Sequence, residues 1–121
     1  MSCPFCFTND SRIILYNNHA VAIYDGFPVS PGHSLLIPKR HIASFFEATR
    51  EKLLALTELL KEMQKVIQTE LNPNGFNIGV NIGAAAGQTI MHLHVHLIPR
   101  YAGDRTPANS LWSQHHSANR T

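Results

Sequence analysis

Residues 90–99, IMHLHVHLIP, place histidines at positions 92, 94 and 96 with one apolar residue between each pair. On an α-helix, residues two apart point about 200° away from each other, so the middle histidine would oppose the other two. On a β-strand the three histidines would share one face, spaced by roughly 6.5–7 Å, while the intervening residues face the core. The alternation therefore predicts a strand that presents its histidines together. The predicted core-facing residues are Met91, Leu93, Val95 and Leu97.

Periodic patterns elsewhere predict further strands and one long helix. RIILYNNHAVAIYD (12–25) predicts two short strands that meet at Asn17-Asn18, and SLLIP (34–38) and FNIGVNIG (76–83) predict two more. Between Thr49 and Leu71 apolar residues recur at helical spacing, which predicts an amphipathic helix. Thr49 is the expected N-cap, and NPNG (72–75) ends the helix with proline and glycine.

Length and composition predict one globular domain. The 121 residues are 44% hydrophobic and 15% charged, and no apolar run approaches the roughly 20 residues that cross a bilayer. No secretory hydrophobic region follows Met1, so we expect a soluble, cytoplasmic protein that binds no membrane. The chain has a net charge of +2, and its basic residues are scattered along the sequence. This distribution favours a small anionic ligand over nucleic acid.

Three hypotheses can explain the histidine row. The histidines could be incidental surface residues, two of them could bind a metal with a carboxylate, or one could be a nucleophile in phosphate chemistry. The flanking segment GAAAGQT (83–89) offers glycines for close backbone approach, and Gln88 and Thr89 are donors that suit phosphoryl oxygens. Asp25, after a predicted strand, could accept hydrogen bonds from ribose hydroxyls. Together these features favour a nucleotide as the ligand. We expect two histidines earlier in the chain, His19 and His33, to be surface or turn residues.

The N-terminal CPFC contributes Cys3 and Cys6, the two cysteines of the chain. In a reducing compartment a structural disulfide is not expected, which leaves metal binding, redox chemistry or packing as alternatives. A zinc site would need two further ligands from elsewhere in the chain.

The histidine stretch HLHVHLI (92–98) resembles the motif of the histidine triad (HIT) family. The similarity extends from CPFC to PRYAGD (99–104) and includes AIYDGFPVSPGHSLLIPKRHI (22–42) and NIGAAAGQT (81–89). It implies an α+β fold, with a mainly antiparallel sheet, one long helix and one or more short ones. It also implies a HIT domain over residues 1–101, followed by a polar tail over residues 102–121, and a homodimer.

The resemblance further implies a nucleotide hydrolase or transferase that acts at the α-phosphorus of its substrate, with His94 as nucleophile. The branch that it resembles most is the bacterial-type diadenosine polyphosphate hydrolases with a C-x-x-C zinc site, and an adenine nucleotide is the expected ligand. An adenosine phosphoramidase and a nucleotide-binding sensor with little catalysis are the alternatives. A divalent cation such as Mg²⁺ is expected to accompany the substrate.

By the same resemblance, His96 and Gln88 contact the phosphate, Thr89 lies near the leaving group, Asn81 supports the site and Asp25 holds the ribose. The nearest matches to the family's base-contacting residues are Phe5, Ile23 and Phe27.

Zinc-containing branches of the family combine the C-x-x-C pair with two histidines. The corresponding positions here are Cys3, Cys6, His41 and His92. Four such ligands would form a closed structural zinc site that fixes His92 beside the nucleophile.

Overall fold

A five-stranded antiparallel sheet with one long helix on its face forms the part of the chain that the structure describes, residues 10–104 of a computed structural model. The sheet order is β1-β2-β3-β5-β4, and the expected α+β class is confirmed. The strands are β1 (Ile13–Tyr16), β2 (Ala20–Tyr24), β3 (Ser34–Pro38), β4 (Gly75–Gly79) and β5 (Val95–Arg100), and the helix α1 is Arg50–Leu71. Short 3₁₀ helices occupy Asp10–Arg12, Phe45–Glu47 and Ala84–Ala86.

The predicted hairpin of β1 and β2 is confirmed, and one side chain organises its turn. The Asn17 side-chain oxygen accepts hydrogen bonds from the backbone N–H groups of His19 and Ala20, each at 3.0 Å. The Asn17 amide also donates to the carbonyl of Ala55 in α1 at 2.9 Å. The turn residue therefore ties the hairpin to the helix as well as closing it.

The ends of α1 follow from local chemistry. Thr49 is the N-cap, as predicted, and its hydroxyl accepts from Lys52 N at 3.3 Å. The helix ends at Leu71, its C-cap Asn72 adopts the left-handed conformation with φ 49°, and Pro73 follows. Apolar residues of one helix face pack against one face of the sheet. The buried helix residues are Ala55, Leu56, Leu59, Met63 and Ile67, and the sheet residues in the same cluster include Ala20, Ala22, Leu36, Val95 and Leu97.

The opposite face of the sheet carries a second apolar cluster, formed by Val21, Ile23, Leu35 and Ile37. Leu35 pairs with His96 in the β3–β5 ladder, and paired residues lie on the same face. His96 therefore points away from α1, on the face that carries the second cluster.

The prediction of one strand through all three histidines is only partly correct. Strand β5 begins at Val95, so only His96 lies in it, whereas His92 and His94 precede it in an irregular segment. In this segment Leu93 N donates to Ile42 O, in the loop after β3, at 2.6 Å. Met91, predicted to face the core, is 45% exposed because the alternation does not extend that far back.

No helix within residues 10–104 has the length and apolar character that a bilayer crossing would require.

Gly32 should be required for stability. Its φ is +89°, and a Cβ there would lie 2.8 Å from Leu71 Cδ1 and 3.2 Å from Pro99 Cγ. We expect Gly32→Ala to lower the free energy of unfolding by about 1–3 kcal/mol, from backbone strain and overpacking. Urea unfolding of both proteins measures the difference.

The matched control is Gly26→Ala, because a Cβ at Gly26 meets nothing within 4 Å. Equal losses of stability in the two variants would contradict the proposed crowding at Gly32.

Candidate functional site

Buried polar side chains gather on the sheet face opposite α1, where the loop between β2 and β3 meets the start of β5. Asp25 directly follows β2 and His33 directly precedes β3, and Asp25 N donates to His33 O at 2.9 Å. Strand pairing brings both next to His96. Asp25, His33, His94 and His96 are 5%, 1%, 2% and 0% exposed.

A backbone hydrogen bond sets the tautomer of the neutral His94 ring. Its Nδ1 lies 2.8 Å from the carbonyl oxygen of His92, and a carbonyl oxygen can only accept a hydrogen bond. In the neutral ring the proton is therefore on Nδ1, and Nε2 carries the lone pair. The ring centroids of His94 and His96 are 5.0 Å apart, in an edge-to-face arrangement. A nitrogen with nucleophilic character thus stands beside a second imidazole in a buried site.

His33 was predicted to be a surface or turn histidine, and this prediction is wrong. Its Nε2 lies 2.9 Å from His96 Nδ1 and 3.4 Å from Asp25 Oδ2. The alternation of side chains along β3 could have predicted its burial. His33 lies two residues before Leu35 and therefore on the same face of the sheet. The proline and glycine before His33 suggested a turn, but the strand begins immediately after it.

The Asp25 carboxylate is directed into this cluster. One oxygen accepts from Phe27 N at 2.8 Å, and the other lies 4.0 Å from His96 Nδ1 in addition to its approach to His33. Its predicted contact with a ribose stays a prediction.

The three residues predicted to surround a base have different environments. Phe27 is 51% exposed in the loop after β2, whereas Ile23 is 2% exposed within the second apolar cluster. Phe5 lies outside the described residues.

Gln88 ties the glycine-containing segment to its surroundings. Its side-chain oxygen accepts from Gly83 N at 2.8 Å, and its amide nitrogen donates to Ala43 O at 2.9 Å and Ile90 O at 3.2 Å. Gly83 and Gly87 adopt φ values of 88° and 97°, which only glycine reaches without strain. In this conformation the Gln88 amide holds the loop together, and its predicted phosphate contact stays a prediction.

The other predicted phosphate-site residues lie on either side of this loop. Thr89 is exposed, whereas Asn81 is 7% exposed and follows β4, whose Gly79 pairs with His96.

His92 lies next to His41. Their ring centroids are 4.9 Å apart, and His92 Nε2 donates to the Pro38 carbonyl at 2.8 Å. Burial lowers the pKa of the His92 imidazole, and nearby His41 and His94 act in the same direction, although the Pro38 hydrogen bond opposes them. His92 is therefore held neutral with its lone pair on Nδ1, which is the form that binds a metal. Cys3 and Cys6 lie outside the described residues.

A second group could also hold a metal on distance alone. Asp25, His33 and His96 each offer one ligand atom, and these atoms all lie within 4.8 Å of one another.

Proteins of several organisms are similar in sequence to this chain. An uncharacterized HIT-like protein of Mycoplasma genitalium is 39% identical over 104 residues, which span 83% of this chain and 74% of that protein. An asymmetrical bis(5'-nucleosyl)-tetraphosphatase of Schizosaccharomyces pombe is 32% identical over 86% of this chain and 57% of its own length. An AP-4-A phosphorylase of Mycobacterium tuberculosis is 34% identical over 69% of this chain and 43% of its own length.

Solved structures match over almost the whole chain. A HIT family protein of Bacillus anthracis covers 98% of this chain and 91% of its own, with a TM-score of 0.79 and 31% identity. A zinc-bound histidine triad family protein of Mycobacterium smegmatis covers 98% and 92%, with a TM-score of 0.77 and 29% identity. The sequence profile of the HIT domain matches residues 7–103. The chain therefore belongs to the HIT family.

Proposed function

We propose that the protein hydrolyses a nucleoside phosphate conjugate at its α-phosphorus, through a covalent intermediate on His94. The observation that carries the proposal is the hydrogen bond from His94 Nδ1 to the His92 carbonyl, because it leaves the lone pair on Nε2. A diadenosine polyphosphate is the proposed substrate. Two relatives, an AP-4-A phosphorylase and a bis(5'-nucleosyl)-tetraphosphatase, support this substrate class.

The reaction would proceed in two displacements. His94 Nε2 attacks the α-phosphorus, a P–N bond forms, and the bond to the bridging oxygen breaks, so that the rest of the phosphate chain leaves with that oxygen. Water then attacks the same phosphorus and loses a proton to solvent, the P–N bond breaks with its electron pair returning to Nε2, and a nucleoside monophosphate is released. Charge on the substituted imidazole is stabilised by the His92 carbonyl that accepts from Nδ1.

Neighbouring side chains would bind and orient the nucleotide. His96, next to His94, is proposed to donate to a phosphoryl oxygen, and Asn81 and Thr89 are proposed to support the phosphate. The low exposure of His94 and His96 favours strong electrostatic interactions with the developing charge, because little water competes for them.

Substitution of His94 tests the nucleophile. We expect His94→Ala and His94→Asn to lower kcat for AMP release from diadenosine tetraphosphate by at least about 10³-fold, because both variants lack the Nε2 nucleophile at this position. AMP binding, measured by calorimetry, should persist. Acid-quenched wild-type protein should also show an adenylate adduct by intact-mass spectrometry.

The matched control is His19→Ala, since His19 is an exposed histidine in the β1–β2 turn. Hydrolysis undiminished in the His94 variants would rule out the assignment. AMP binding without hydrolysis of any substrate by the wild type would instead indicate a nucleotide-binding protein.

A substrate panel assigns the reaction class. Diadenosine triphosphate and tetraphosphate, an AMP phosphoramidate and an aminoacyl adenylate should be compared with and without inorganic phosphate. We expect AMP from the dinucleotides in the absence of phosphate. A requirement for phosphate, with ADP as product, would indicate phosphorolysis, and preference for the phosphoramidate would indicate the other branch.

We further propose a structural zinc ion bound by Cys3, Cys6, His41 and His92. The support is the contact between the His41 and His92 rings and the lone pair that the Pro38 hydrogen bond leaves on His92 Nδ1. The zinc-bound relative supports the same chemistry. Zinc would brace the segment that carries His94 and would take no part in the displacement steps.

Zinc content tests this site. Protein purified without added metal should contain about one equivalent of zinc by mass spectrometry, because a four-ligand site of this kind binds tightly. Cys3→Ser and His41→Ala should lose the metal, whereas His19→Ala should retain it. Zinc below about one tenth of an equivalent in the wild type would count against the site.

A further inference from the structure

We propose that His33 is a positioning residue that holds His96 in the tautomer with its proton on Nε2, ready to donate to the substrate. This inference rests on the proposed function for its catalytic consequence. The tautomer itself is a property of the protein without substrate.

The backbone determines which nitrogen of His33 carries a proton. Val29 N–H lies 3.0 Å from His33 Nδ1, and a backbone N–H can only donate. Nδ1 must therefore offer a lone pair. A neutral imidazole has one donor and one acceptor, so the His33 proton is on Nε2.

This proton determines the state of the next ring. His33 Nε2 lies 2.9 Å from His96 Nδ1, which must accept because its partner donates. Asp25 Oδ2, at 3.4 Å from the same His33 nitrogen, favours the proton staying there. The His96 proton is then on Nε2. A hydrogen-bond chain thus runs from Val29 through His33 to His96.

The loop that carries His33 is anchored at several points. Tyr101 Oη donates to Pro31 O at 2.7 Å, Ser30 Oγ donates to Pro99 O, and Ser34 Oγ donates to Gly32 O at 2.8 Å. The first two bonds attach the loop to the end of β5 and the residue after it, and the third holds the loop where it enters β3. His33 therefore has a fixed position from which to orient His96.

The consequence is that the adjacent imidazoles adopt opposite tautomers. His94 carries its proton on Nδ1 and its lone pair on Nε2, whereas His96 carries its proton on Nε2. One ring can attack phosphorus and the other can donate to a phosphoryl oxygen. If both rings had the His94 tautomer, two nitrogen lone pairs would face an anionic substrate and repel it.

The same hydrogen bonds argue against a metal at Asp25, His33 and His96, although their ligand atoms are close. A metal on His33 Nε2 needs a lone pair there, while Val29 N–H needs a lone pair on Nδ1. A neutral imidazole cannot provide both. The described contacts therefore favour the hydrogen-bond chain.

Nitrogen NMR of the full-length protein tests the proposal. With ¹⁵N-histidine labelling above neutral pH, wild-type His96 should show a protonated Nε2 and an unprotonated Nδ1. His33→Leu removes the donor, so His96 should become a mixture of tautomers. His33→Gln keeps an amide donor at the ε position and should restore the wild-type pattern. His19→Leu, at an exposed histidine, should change nothing.

Kinetics provides the second readout. We expect His33→Leu to lower kcat about 10²-fold with little change in KM, the effect of losing one well-placed donor in the transition state, and His33→Gln to recover most of it. A general loss of folding would instead affect both variants and would appear in their circular dichroism.

Three results would overturn the proposal. They are a protonated Nδ1 on wild-type His96, an unchanged tautomer in His33→Leu, and shifts of the His33 and His96 nitrogens on addition of zinc chloride alone. If His33→Leu does not fold, the wild-type spectrum and His33→Gln decide the question. The spectra need no substrate, so a failure of nucleotide hydrolysis leaves the tautomer result intact and the two proposals fail separately.

Discussion

The antiparallel pairing of β3 with β5, with Leu35 opposite His96, is the constraint on which the candidate site depends. Side chains alternate along a strand, so a slip of one residue would move His33 and His96 to the face covered by α1. The apolar residues of both strands oppose such a slip, because it would also remove Leu36 and Val95 from the core that packs against α1. Packing of the core therefore determines which residues meet in the site.

Within the site, buried polar groups constrain one another through the direction of their hydrogen bonds. An unsatisfied buried donor or acceptor costs about 1–3 kcal/mol, so each imidazole adopts the tautomer that its backbone partner requires. The His92 carbonyl forces a proton onto His94 Nδ1, and the Val29 N–H forces a lone pair onto His33 Nδ1. Histidines with the same side-chain chemistry are thereby held in different tautomers by backbone groups that the fold keeps in place.

The surrounding loops contribute rigidity. The Gln88 side-chain amide forms hydrogen bonds with backbone groups of Gly83, of Ile90 and of Ala43 in the loop after β3. A phosphate that entered this region would meet a loop already shaped by that side chain. Pre-organisation of this kind limits the reorganisation that binding and reaction require.

The sequence by itself determined the element types, the helix N-cap, the β1–β2 turn and the family, because periodicity, capping and motif residues act over short distances along the chain. It also pointed to Asp25, His94 and His96, which the structure brings close together. Only the tertiary structure decided that β5 starts at Val95, that Met91 is exposed and that His33 is buried against His96. These outcomes depend on contacts between residues far apart in sequence, such as Leu93 with Ile42 and His33 with His96. No local pattern contains such contacts, because they arise when the sheet assembles.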